Sequence, residues 1–534
     1  MGIFVPISRF WAAMVLAASA GAQGPGQVVG GADYSSGATV GIPRGSIFTI
    51  TFPPNGLNLA GSPVSTFTPP LPLAAGAVSV GIWTSSAGGT LLAQAPLLYL
   101  SPVQINAVMP SSIPAGSYSI GVTGVIVPGA NASLTAWFPV TVTDGRLAAF
   151  TRTSRGFGPA ALLQYDSAGN VSINGLATPA VPGETVALFG TGLGALASGS
   201  DAEAPEAGTL RNDVTVYIAG IAVAPLYAGR APGLPGVDQI NFTIPAQIAP
   251  RCFVPLQVQT GSVAGNLVTL ALSPSGGVCG NDLTLTPTML ASLDRGNKLQ
   301  GVWLGFTSTT QITNGLTGPL VQTAQTLAEE YDESDLSLFV SSVPALPLPL
   351  CFRSDLPPTT IAVIGSPGPA PTITGAGGCQ WQSGNVGCIA TGFAFGPDLG
   401  GVSGTLPAPL PASTIAALSA SDTDQQLTAS WSAAVAPGDT LTVAATSSYT
   451  TPGLFGADPT RTYTNTLSCE VAPGASPFVF PAPDAAWAFQ YPSQEVLLTV
   501  TNRANQTFPL SGVSYDFLLV SVVSSVNAVY SGSF

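Results

Sequence analysis

The chain contains no histidine. Ser-His-Asp and Cys-His catalysis both need an imidazole that titrates near neutrality, so neither can operate here. Zinc and iron sites built on histidine fall with them. Charge of either sign is scarce. Lys and Arg number 13, Asp and Glu 26, and charged residues make up 7% of the 534-residue chain, against about 25% in an ordinary soluble domain. The basic residues are scattered and the net charge is −13. No basic stripe exists to neutralise phosphates, which excludes nucleic acid as a partner and disfavours an anionic membrane surface.

Long apolar runs are missing as well. The exception is residues 1–22, which read as a signal peptide: Arg9 supplies the positive start and Phe10 to Leu16 begins the apolar stretch. Ala18-Ser19-Ala20 and Ala20-Gly21-Ala22 both fit a small-x-small cleavage site. That stretch is short of the ~20 residues a bilayer span needs. Phe517 to Tyr530 is apolar but broken by serines, and reads as strand. The expectation is a secreted or cell-envelope protein with no membrane span after cleavage.

Hydrophobic residues make up 46% of the chain, and its 62 glycines and 49 prolines cut them into short runs. Apolar residues alternate with polar ones in Ser46 to Phe52, Ala77 to Trp83, Tyr118 to Val122 and Phe138 to Val142, and again in Thr185 to Phe189, Val214 to Ile218 and Ile240 to Ile244. Period-two alternation marks half-buried strands, so the fold class is all-β. One phrase occurs twice. Ala95-Pro96-Leu97-Leu98-Tyr99 leads to Gln104-Ile105-Asn106 and Pro110, and Ala224-Pro225-Leu226-Tyr227 leads to Gln239-Ile240-Asn241 and Pro245. Pro43-Arg44-Gly45 and Pro182-Gly183 open the two copies, 59 and 56 residues before the glutamine. Such a repeat implies two copies of one unit, placed at 26–145 and at 146–280, the second with a linker over 147–174. Short strands at this spacing suit tandem immunoglobulin-like β-sandwiches. Between Pro225 and Gln239 the second copy is six residues longer than the first, and the surplus, Ala231-Pro232-Gly233-Leu234-Pro235-Gly236, is turn chemistry.

The residues of the second copy resemble a known family. Leu188-Phe189-Gly190-Thr191-Gly192-Leu193-Gly194, Val214-Thr215-Val216, Ala224 to Gly229, Ala231-Pro232-Gly233, Gly236, Gln239-Ile240-Asn241 and Ile244-Pro245 are similar in order and spacing to the Solibacter-type uncharacterised C-terminal domain. That family occurs in secreted acidobacterial proteins and is similar to IPT/TIG immunoglobulin-like sandwiches. The resemblance covers about 176–275, with 30–145 as a degenerate copy. It implies a fold and an exported setting, and carries over no catalytic residue. The chain departs from the family by continuing about 250 residues past a domain that is normally C-terminal.

In that tail the sequence predicts a β-rich module over 285–400, a proline-marked break and a sandwich over 412–534. A helix is predicted over Leu320 to Leu336, with Glu329, Glu330, Asp332, Glu333 and Asp335 forming an acidic face or loop in water. Asp201, Glu203 and Glu206 read as a solvated loop, and Gly190-x-Gly192-x-Gly194 as a turn after a strand, since no capped helix follows to bind phosphate. Ile105 and Ile240 read as core, while Gln104, Asn106, Gln239 and Asn241 read as structural, satisfying backbone groups. Trp83, Trp381, Trp431 and Trp487 read as core in preference to a carbohydrate platform.

Six cysteines, Cys252, Cys279, Cys351, Cys379, Cys388 and Cys469, are compatible with three disulfides, and Cys252–Cys279 is the favoured pair. No catalytic, cofactor or metal site is expected. The expected function is a non-enzymatic, structural or adhesive extracellular protein whose partner is a polysaccharide or another protein. Alternatives are a glycan-active enzyme using carboxylates of the tail and a subunit that assembles through strand edges.

Overall fold

The computed structural model describes residues 26–53, 57, 64–65, 68–86, 89–126, 133–166, 168–211, 213–280, 283–340, 350–354, 366–367, 371–375, 384–385, 389–423, 426–451, 461–481, 488 and 493–532. The expected signal peptide, Cys379, Cys388, Trp381 and Trp487 lie outside them. The fold is all-β, built mainly of antiparallel sheets. The chain forms two compact units, one of Met1–Asn281 with Asp294–Gly296 and Glu333–Leu338, the other of the remaining residues.

The first unit contains both copies of the repeated phrase, each as a two-sheet sandwich. In the first, Ile47–Thr51 pairs with Gln104–Val108, which pairs with Leu97–Ser101; in the second, Thr185–Thr191, Asp238–Thr243 and Tyr227–Arg230 stand in the same order. The facing sheets correspond too. Val78–Trp83, Gly116–Ile126 and Ser133–Thr143 match Val214–Ile218, Val254–Thr260 and Val268–Leu270. Each of these sheets is completed by a two-residue strand in parallel pairing, Ile42–Pro43 in one and Gly158–Pro159 in the other. The alternating apolar residues fill the cores: Phe48, Ile50, Val80, Ile82, Ile105 and Ile120 in one, Val186, Leu188, Val216, Ile218, Ile240 and Leu256 in the other. The expected linker is part of the second sandwich. Leu162–Tyr165 pairs with Thr185–Thr191, because Leu162 and Leu163 alternate sides and both sides are covered.

The two sandwiches share a third apolar cluster. Ile47, Leu98 and Val108 from the first meet Phe150, Leu163, Phe189, Ala231 and Val237 from the second. The six surplus residues contribute to the contact. They lengthen the loop between Tyr227–Arg230 and Asp238–Thr243, and Gly236, at φ +73°, lies where a Cβ would stand 2.8 Å from Ile47 and 3.0 Å from Val108. Thr191 closes the seam, its Oγ1 accepting from the Ile47 N–H at 2.8 Å and donating to the Gly236 carbonyl at 2.7 Å.

The second unit is one body. Its main, nine-stranded sheet runs Leu350–Ser354, Arg461–Glu470, Thr440–Thr451, Ser493–Pro509, Phe517–Gly532, Leu299–Thr313, Leu316–Tyr331, with the two-residue strands Ser366–Pro367 and Gly384–Asn385 both paired to the last of these. Two three-stranded sheets pack on one side of it, one around Phe306, Phe393 and Val520, the other around Leu427, Val443, Leu498 and Val526. The expected division near 400–412 therefore does not separate two modules. Leu299–Thr313, from the first, pairs in parallel over thirteen positions with Phe517–Gly532, from the second.

The predicted helix over Leu320 to Leu336 is mostly strand. Leu316–Tyr331 forms a long hairpin with Leu299–Thr313, and helix begins only at Glu333. Buried Gln322 and Thr326 occupy core positions, which hides the alternation. Asn314 and Gly315, at φ +47° and +81°, make the two-residue turn that such hairpins favour.

Gly236→Val should force a branched side chain into the seam at a left-handed position, at a cost of about 2–4 kcal/mol in urea unfolding. An unchanged midpoint would mean that the seam is not a packed contact.

Candidate functional site

The repeated Gln-Ile-Asn phrase is a small polar clasp. Gln104 Nε2 donates to Asn106 Oδ1 at 2.7 Å, and Gln239 Nε2 to Asn241 Oδ1 at 2.8 Å, while Ile105 and Ile240 are buried between them. The bond common to both copies joins the two side chains rather than running to the backbone. Thr49 adds a hydroxyl to Asn106 at 3.1 Å.

Gly190-x-Gly192-x-Gly194 forms a turn around a buried ion pair. Asp238 and Arg230 face each other across the base of the surplus loop, and their carboxylate and guanidinium are in contact. Arg230 Nη2 donates to the Gly194 carbonyl at 2.7 Å, and the Leu193 N–H donates to Asp238 Oδ2 at 2.7 Å. Burial pushes the Asp238 carboxyl up, opposed by Arg230 and by the Leu193 and Gly192 N–H groups. With both charges compensated inside the sandwich, this pair holds the loop and is closed to a ligand.

Both predicted acidic clusters are largely structural. In the loop after the second sandwich's first long strand, Glu203 and Glu206 are exposed, but Asp201 accepts from the Ser111 N–H at 2.6 Å and the Ser111 hydroxyl at 2.7 Å, tying the loop to the first copy. The other cluster divides. Glu330 meets Lys298 at 3.4 Å in the second unit. Glu333 and Asp335 belong to the first unit, where Asp335 pairs with Arg155. Arg152 Nη1 lies 3.0 Å from Asp294 and 3.3 Å from the buried Glu333. Asp294 also accepts from the Leu176 and Ala177 N–H groups. Burial raises the Asp294 carboxyl, but a hydrogen bond with Glu333, the Ala177 N–H and Arg152 outweigh it, and the group lies below its usual value. These two carboxylates do converge, but they are packed among the donors that satisfy them, not presented to a cleft.

Cys252 and Cys279 are disulfide-bonded, with 4.8 Å between their Cα atoms. Cys469 is also in a disulfide, and its register partner is Cys351. No helix among the described residues is long and apolar enough to cross a membrane.

The tryptophans depart most from expectation. Trp431 packs against the core of the second unit, but Trp83 does not enter the core. Val78, Val80 and Ile82 point inward and are fully buried, so Ser79, Gly81 and Trp83 take the outer face of their sheet. There Trp83 meets Trp137 edge to face, centroids 5.4 Å apart and planes at 77°. Gly81 and Gly121 stand opposite each other in register beneath them. A Cβ on Gly81 would lie 2.7 Å from Trp83 Nε1, and one on Gly121 2.9 Å from both rings. The missing side chains let both indoles lie down on the sheet. Leu91, 40% exposed, and Gln94 border them on the adjoining edge strand. Paired glycines in adjacent strands were the signal that could have found this face; alternation alone places Trp83 outward only once the inward set is fixed.

No protein-family model and no curated protein matches the chain. Among solved structures it is similar to an endo-fucoidan hydrolase of glycoside hydrolase family 107, at 9% identity and TM-score 0.10, covering 88% of this chain and 44% of that one. It is also similar to Salmonella alpha-2-macroglobulin reacted with methylamine, at 12% identity and TM-score 0.13, covering 95% of this chain and 45% of the other. The chain thus spans less than half the length of either, and such scores carry no argument about fold or activity.

Asp294 binds fewer protons folded than unfolded. Its contribution to stability is complete above the usual carboxylate pKa of about 4 and fades as pH falls through the lowered value. Asp294→Asn should flatten that acid limb in urea titrations between about pH 3 and pH 7. Arg152→Met should cost about 3–5 kcal/mol near neutrality by leaving the carboxyl pair without its cation.

Proposed function

We propose that the chain is an exported, non-enzymatic structural and adhesive protein that presents immunoglobulin-like sandwiches, of the IPT/TIG-like kind, to extracellular polysaccharide or protein at the cell surface. One observation carries the adhesive part: an aromatic pair lies on the solvent face of a sheet whose core is complete without it. The shared apolar seam supports the structural part, since it joins two sandwiches in one compact unit. Disulfides support an oxidising compartment. The absence of imidazole in the sequence, and the engagement of the convergent carboxylates by Arg152 and backbone N–H groups, favour binding over turnover.

Incubation of the full chain with a panel of extracellular polysaccharides should give retention without release of reducing ends. Glycan hydrolysis that survives purification and is lost on changing an Asp or Glu of the second unit would replace this reading with an enzymatic one.

A further inference from the structure

We propose that the outer face of the first sandwich's six-stranded sheet, centred on Trp83 and Trp137, is the binding site for a neutral polysaccharide. The inference rests on the adhesive reading above and gives it a site and a ligand class.

Three observations carry it. The first is geometric. Two indoles at 77° over a glycine-floored trough offer both a ring edge and a ring face, with exposed Leu91 and Gln94 at the rim. Pyranose rings present C–H faces that stack on indole, and hydroxyls that take up amide and hydroxyl partners, here Gln94 and Ser119. The second is electrostatic. None of the six strands, Ile42–Pro43, Ala74–Ala75, Val78–Trp83, Leu91–Gln94, Gly116–Ile126 and Ser133–Thr143, contains a charged residue. A solvated sheet face normally carries charge among its polar positions. This one offers nothing to a polyanion, and the net charge of −13 would repel one.

The third comes from the second copy, which serves as an internal control. Inward positions agree between the two: Val80 and Ile82 face Val122 and Ile120, as Val216 and Ile218 face Val258 and Leu256. Outward positions do not. Where the first copy has Gly81 opposite Gly121, the second has Tyr217 opposite Gln257, and Gln257 bonds to the Gly265 carbonyl at 2.7 Å. The sandwich therefore forms without the glycine pair and the flattened indole above it. They belong to the first copy alone and serve something other than the fold.

The test is affinity electrophoresis of the full chain in gels containing hydroxyethyl cellulose, mixed-linkage β-glucan or galactomannan, with alginate as the acidic comparison. At least one neutral polymer should retard the protein, added salt should not release it, and alginate should have no effect. Trp83→Ala and Trp137→Ala should each weaken retardation about tenfold or more, while Trp303→Ala, in the second unit, should leave it unchanged. If a replacement at Trp83 or Trp137 prevents folding, tryptophan oxidation of the unaltered protein decides, read by peptide mass. The neutral polymer should protect the peptides holding Trp83 and Trp137. Undiminished binding in both variants, or oxidation without protection, would overturn the site while leaving the adhesive reading intact. Binding to alginate alone, or to none of the polymers, would overturn the ligand class. A wild-type dimer that both variants convert to monomer, with glycan retardation unaffected, would assign the face to a second copy of the chain.

Discussion

The first unit depends on a single constraint: an apolar seam between two sandwiches that must stay dry. Ile47, Leu98 and Val108 would face water if the second copy were absent, and Phe150 and Phe189 if the first were. Burying such side chains contributes roughly 1.5–3 kcal/mol each. The polar groups at the seam follow from it. Thr191 bonds to both copies because the Ile47 N–H and the Gly236 carbonyl have no water to turn to. The Arg230–Asp238 pair fixes the base of the loop that reaches across. Gly236 must be glycine for two reasons at once, its φ of +73° and its approach to Ile47. The six surplus residues of the second copy add Ala231, Leu234 and Gly236 to that seam.

Much of the fold was legible in the sequence. Alternation located strands in both copies, among them Ile47–Thr51, Val78–Trp83, Thr185–Thr191 and Val214–Ile218, and the recurring Gln-Ile-Asn marked equivalent strands because its isoleucine fills the same core position in each. The Cys252–Cys279 bond was legible from its place at strand ends of one domain. What failed did so for physical reasons. Leu316–Tyr331 places glutamine and threonine inward, so its apolar pattern no longer reports its buried side. The run 147–174 looks like a connection because its strands are two to four residues long, too short for periodicity to register. The tail could not be read as one sheet, because its joining contact spans more than two hundred residues.

The candidate face was less legible than the fold. Trp83 and Trp137 are 54 residues apart, and nothing local connects them. Their meeting depends on Gly116–Ile126 lying between their strands, and their posture on two glycines whose role appears only in register. By contrast the charged residues, the usual first place to look for a site, are mostly consumed in holding the first unit together. Arg44, Arg146, Arg152, Arg155, Arg211 and Arg230 each form an ion pair. In a chain this poor in charge, chemistry toward the outside falls to rings, hydroxyls and amides.

The position of the last strand has a consequence for biogenesis. Phe517–Gly532 lies in the middle of the nine-stranded sheet, between Ser493–Pro509 and Leu299–Thr313. Leu299–Thr313 is made some two hundred residues before it, and waits through that synthesis before its neighbour exists. The second unit therefore emerges as an open half-sheet that cannot close until Phe517–Gly532 has been made, whereas the first can close once its own strands are out.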